Sequence, residues 1–147
     1  MKRILPIVAL LAAGAMSAHA EDAYNQAVVA VPVLKTTTTS IGQPIQYPAT
    51  VKPEVTSLRV DIPPGKETGW HTHPVPGFAY VLAGTLTIEL EGGKQLQFNA
   101  GQGFAEVVNT LHNGKNLGTE PVKLLVTFAG ESGSPFAVKA PAPAPAK

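Results

Sequence analysis

From Glu54 to Phe128 apolar residues recur at every second position, and turn residues interrupt them at short intervals. A period of two puts alternate side chains on opposite faces of an extended chain, whereas an amphipathic helix needs apolar spacings of three and four. This stretch therefore reads as strands. Leu58, Val60 and Ile62 alternate with Ser57, Arg59 and Asp61, and Pro63-Pro64-Gly65 then stops the strand because proline has no N–H for a ladder. Leu86, Ile88 and Leu90 alternate with Thr85, Thr87 and Glu89, Glu91-Gly92-Gly93-Lys94 turns the chain, and Leu96 and Phe98 resume the apolar face as a β-hairpin. Phe104, Glu106 and Val108 share one strand face, and Val122, Leu124, Val126 and Phe128 share another after the turn Gly118-Thr119-Glu120-Pro121. Short strands with turns about every eight to twelve residues indicate an all-β, antiparallel sandwich or barrel. Periodicity leaves jelly roll, immunoglobulin-like sandwich and lipocalin-like barrel open.

The flanks carry different signals. Met-Lys-Arg, the apolar stretch Ile4 to Ala15 and Ala18-His19-Ala20 have the form of a secretory signal peptide, 1–20, with cleavage expected after Ala20. The apolar stretch falls short of the roughly 20 residues of a spanning helix, so no membrane association is expected after cleavage, and the expected location is periplasmic or secreted. Residues 21–50 read as a short N-terminal edge strand around Val28-Val29-Ala30-Val31 followed by a linker, 51–138 as the barrel, and 139–147 as a disordered Pro/Ala tail. Of 11 basic residues, Lys2 and Arg3 leave with the signal, so nine face ten acidic ones and the mature net charge is −1. No run of Lys or Arg remains, which argues against nucleic acid as a partner. There is no cysteine, so disulfides, thiolate metal sites and a cysteine nucleophile are excluded, and any metal must sit on nitrogen and oxygen.

Apart from His19 in the signal, the histidines are His71, His73 and His112. In an extended segment His71 and His73 project from one face, and an antiparallel neighbour can bring His112 opposite them. Three neutral imidazoles make a facial site for one divalent metal ion, with Fe, Mn, Zn, Ni and Cu not distinguished, and leave coordination positions open for water or substrate.

The surroundings of these histidines resemble the two motifs of the cupin superfamily. The first motif, G-x5-H-x-H followed by a glutamate and then a glycine, is matched by Gly65, His71, His73 and Gly84, but Gly77 stands where the glutamate ligand would be. The second, G-x5-P-x-G-x2-H-x3-N, is matched by Gly101, His112 and Asn116, with Val107 and Asn109 in place of its proline and inner glycine. The resemblance covers roughly Gly65 to Phe128. It implies a single cupin-type antiparallel β-barrel (jelly roll, or double-stranded β-helix), often dimeric, whose inner histidines bind one metal. A homodimer through an exchanged strand at Val28 to Leu34 is one expectation that follows.

Without a carboxylate at position 77, Glu106 becomes the candidate catalytic residue, because it lies six residues before His112 in the strand that leads to it. Facing inward, it can ligate the metal, act as general base on bound water, or hold the second nitrogen of a histidine; facing outward, it is a solvated carboxylate. Trp70, Phe78, Tyr80 and Phe104 are the aromatics nearest the site, as pocket lining or as core. Asn116 fits a turn-stabilising hydrogen bond. The expected function is a metal-binding cupin acting on a small organic substrate as oxygenase, isomerase or lyase. The alternatives are a non-catalytic small-ligand or metal-binding module, and a barrel whose role has become structural.

Overall fold

The computed structural model describes residues 25 and 27–144. The expected signal peptide and the last three residues of the expected tail lie outside them. The chain divides into one unit ending at Pro32 and a second that begins at Val33.

The second unit contains nine strands and, among the described residues, no helix. One sheet has β1 (Pro53–Ile62), β8 (Val122–Glu131), β3 (Gly77–Ala83) and β6 (Gly103–Ala105) side by side in that order. The other runs β5 (Gln95–Asn99), β4 (Thr85–Leu90), β7 (His112–Lys115), β2 (His71–Thr72) and β9 (Val138–Lys139). Every pairing is antiparallel. Only β4 and β5 are sequence neighbours paired with each other, as the expected hairpin with Leu86 opposite Phe98; every other connection crosses between the sheets. This is the jelly-roll arrangement, and it decides among the architectures that strand periodicity alone left open.

The inner faces hold the core. In β8 the buried residues are Val122, Leu124, Val126 and Phe128, the set that alternation predicts, and they meet Leu86, Ile88 and Leu90 of β4. Each such side chain taken out of water contributes roughly 1.5–3 kcal/mol. Leu125, out of phase with them, lies on the outer face and is 46% exposed. At Gly84, between β3 and β4, φ is +74° and a Cβ would lie 2.7 Å from Pro121 O, so only glycine lets the β3–β4 turn pass beneath the start of β8.

Two expectations about the flanks are corrected. Val28–Val31 forms no strand: Val28 N donates back to Asn25 O (2.7 Å) in a turn, and Pro32 removes the next donor. Instead, the chain after Val33 covers the free edge of β6. Ser40 N donates to Ala105 O (3.0 Å), and the Gln43 side chain grips the Val108 backbone, donating from Nε2 to its O (2.9 Å) and accepting from its N at Oε1 (3.1 Å). The second correction is at the other end. The Pro/Ala tail does not begin at Lys139, because Val138–Lys139 is strand β9 and Ala140 N donates to Trp70 O (3.0 Å). The proline alternation starts only after that last ladder bond.

Asn116 closes the loop that follows β7. It is 1% exposed, donates from Nδ2 to Ile62 O and Glu120 O (2.8 Å each), and accepts from Gly118 N at Oδ1 (3.0 Å). Asn116→Ala would leave two carbonyls and one N–H without partners, at a cost of about 2–4 kcal/mol. Urea denaturation of the purified variant checks this, and a loss below about 1 kcal/mol would show that water replaces the side chain.

Candidate metal centre

Strand β2 is only two residues long and lies between β7 and β9, with His71 directly opposite both His112 and Lys139. Residues opposed across an antiparallel pair share a face, and His73, two positions on, returns to it. The three rings accordingly converge, with centroids 4.3 Å apart for His71–His112, 4.8 Å for His71–His73 and 5.0 Å for His73–His112. One donor nitrogen from each lies within 4.8 Å of the others, near enough to share one ion.

Backbone carbonyls fix which nitrogen that is. Each Nδ1 lies 2.8 Å from a carbonyl oxygen: His71 from Gly69 O, His73 from Phe136 O, His112 from Thr110 O. A carbonyl can only accept, so Nδ1 carries the proton of each neutral ring and the Nε2 lone pair is free. Burial lowers His73 to about 3 and His112 to about 4; the carbonyl bonds partly oppose this, and the neighbouring histidines add to it. At neutral pH both rings are uncharged, the form that ligates a metal. The residues present thus fit a single divalent ion, and a nitrogen set without cysteine admits several metals.

The histidines line a cavity of about 160 Å³ between the sheets, and Glu106 lies on its wall. Glu106 therefore faces inward, which sequence alone left open. It is 7% exposed, its Oε2 has no hydrogen-bond partner, and burial pushes its carboxyl up to about 7. It is not part of the cluster of donor atoms formed by the three histidines, and it does not hold a histidine's second nitrogen, because carbonyls occupy all three Nδ1 positions.

The glycine at position 77 has a structural reason. A Cβ there would lie 2.6 Å from Phe128 Cε1 and 3.1 Å from Glu106 Cγ, so no side chain fits unless these move. Glu106 N donates to Gly77 O (2.8 Å), which holds the two residues side by side. The carboxyl of Glu106 thus stands next to the point from which the motif's glutamate would have grown.

The four aromatics named from sequence do not line the cavity. Phe104 stacks on Phe98 with centroids 4.0 Å apart, Phe78 packs against Tyr47, and Trp70 O anchors Ala140. Phe128 and Phe136 line it instead, stacked on each other at 5.1 Å. Phe136 escaped notice because it follows Ser132-Gly133-Ser134-Pro135, which reads as the end of the domain.

These ionisations set opposing pH dependences in the metal-free protein. His73 and His112 titrate below their unfolded value of 6.5, so acidification from pH 6.5 protonates the unfolded chain first and stability falls. Glu106 titrates above its unfolded value of 4.5, so raising the pH from 4.5 through 7 deprotonates the unfolded chain first and stability also falls. Glu106→Gln removes only the second effect. The stability of this variant relative to wild type should rise by on the order of 3 kcal/mol between pH 4.5 and 7, measured by urea denaturation. A difference that does not change with pH would show that Glu106 ionises as it does in water.

Residues 58–128 match the family model described as a cupin domain. No curated protein matches the chain in sequence. Among solved structures, oxalate decarboxylase of Lactobacillus farciminis in its formate complex is 21% identical with a TM-score of 0.51, over 58% of this chain and 26% of that one. Bacillus subtilis oxalate decarboxylase, studied for its Mn(II) centres, is 22% identical with a TM-score of 0.51, over 58% and 23%. DMSP lyase DddQ of Ruegeria pomeroyi is 21% identical with a TM-score of 0.50, over 58% and 42%. The matched part spans less than half of each of these longer proteins, and at such identities the likeness concerns the fold. The matched domain, the shared jelly roll and the histidine triad within it agree: residues 58–128 of this chain form a cupin domain.

Proposed function

We propose that this protein is a metal-dependent enzyme acting on a small organic molecule, with His71, His73 and His112 as the metal ligands and Glu106 as the acid–base group. The observation that carries the reading is a buried carboxyl whose Oε2 has no partner, on the wall of the same cavity that the three converging histidines line. A carboxyl buried without a partner is costly, and perturbed groups of this kind gather where protons are moved.

A divalent ion in the triad would supply Lewis-acid polarisation of a substrate oxygen or, if redox-active, electron transfer. The protein's own contributions follow from its geometry. Three backbone carbonyls orient the rings before any ligand arrives. With its carboxyl near 7, Glu106 gives or takes a proton at Oε2 close to neutral pH, where general acid–base exchange is most effective. Oxygenase, isomerase and lyase chemistries all use this set. The pattern of residues 1–20 supports export to the periplasm or beyond as part of the same reading.

Elemental mass spectrometry of protein purified from the periplasm should give about one metal per chain, and the double variant His71→Ala, His112→Ala should hold none. A wild type that holds no metal and binds none on titration would overturn the reading. Glu106→Gln should keep its metal and lower any metal-dependent conversion, followed by mass spectrometry over a panel of small oxygenated compounds, by about 10²–10⁴-fold. Metal and ligand binding without turnover in wild type would identify a non-catalytic module instead.

A further inference from the structure

We propose that the cavity takes a small, predominantly apolar molecule that offers a single oxygen-donor group, with at most one negative charge, to the site formed by the three histidines. This rests on the metal-dependent reading above and specifies its substrate class.

Size is the first constraint. A volume of about 160 Å³ is close to that of engineered protein cavities, about 150 Å³, that accept benzene, so the occupant has roughly six non-hydrogen atoms. Polarity is the second. The polar side chains on the wall are the triad, Glu106 and Thr68, and the Thr68 hydroxyl is already bonded to Gly69 O and Gly114 N. Val60, Leu124, Val126 and Phe128 of one sheet and Leu86 and Ile88 of the other make most of the remaining wall apolar. A second polar group on the ligand would be desolvated against these walls without a partner, and a site loses affinity steeply in that situation.

Charge is the third constraint. Among the described residues lining the cavity there is no lysine or arginine. Lys115 is bound to Glu89 and Arg59 to Asp61, outside the cavity. Lys139 is opposite His71 in register but is exposed and is not part of the wall. The two positive charges of a divalent ion on three neutral imidazoles would be balanced by one carboxylate of the ligand together with ionised Glu106, so a second carboxylate would be in excess and no side chain of the wall could neutralise it. Phe136 makes the apolar character a property of this chain's own C-terminal segment, because it lies beyond residues 58–128 of the matched domain.

The test compares butanoate with malonate and glycolate on Co(II)-loaded protein, read by the visible Co(II) spectrum and by melting temperature, with cobalt content measured after each titration. Malonate and glycolate chelate a free metal ion better than butanoate does, so a reversed order isolates what the walls contribute. Butanoate should bind at least tenfold tighter than either, and Phe136→Ala, which keeps the carbonyl that holds His73, should weaken butanoate at least fivefold with cobalt retained. Malonate or glycolate binding as tightly as butanoate to cobalt-loaded protein, or no ligand binding at all, overturns the proposal. The series is repeated on metal-free protein with neutral cyclopentanone added. A protein that fails to hold cobalt refutes the metal-dependent reading. In that case cyclopentanone raising the melting temperature while malonate does not is the result expected of an apolar cavity, and the reverse overturns the cavity assignment.

Discussion

The bonds from imidazole Nδ1 to backbone carbonyls govern everything else at this site. Without them a buried histidine could rotate, flip its tautomer or protonate; with them each ring has one orientation and one free lone pair. The carbonyls come from three places: the turn before β2, the turn before β7 and the segment after β8. Two of the bonds are local, spanning two residues each, whereas the one from Phe136 to His73 spans 63 and depends on the tertiary fold. The short β2 strand illustrates this dependence. Two residues would not persist as a strand alone, but His71 is fixed by a neighbour on each side.

Much of this was legible in the chain itself. The alternation at Leu58, Val60 and Ile62 and at Val122 through Phe128 identified the inward faces, because a strand buried on one side must repeat every two residues. His-x-His together with a third histidine at motif spacing predicted a convergence that the register of His71 with His112 realises. Alternation could not assign the side of Glu106, because Phe104, Ala105, Glu106 and Val107 are all buried. The segment after Val33 covers that edge of the sheet, and a residue with protein on both sides shows no polar alternation to read. Phe136 and β9 stayed hidden for a different reason: a two-residue strand after a Ser-Gly-Ser-Pro turn has no period, and only tertiary pairing makes it a strand.

Gly77 and Glu106 are packed as a pair on neighbouring stretches of chain. Phe128 and Glu106 fill the space above Gly77, so the loss of a side chain on β3 and the presence of a carboxyl just beyond β6 are two aspects of one packing solution. Size at the two positions is coupled: a larger residue at 77 would push against Phe128 and the Glu106 stem, and truncating Glu106 would leave a void beside the glycine. Coupling of this kind is expected between groups in direct contact.

The carbonyl that holds His73 belongs to Phe136, 63 residues further along the chain. During synthesis the ribosome delivers His71, His73 and His112 well before Phe136 and the last strand, so the growing chain has its ligands before it has the group that aims one of them. Closing so long a loop is entropically slow compared with forming the β4–β5 hairpin. The finished site is therefore a late event in the life of each molecule, and a chain interrupted between the end of β8 and Phe136 would retain all three histidines yet lack one of the three bonds that orient them.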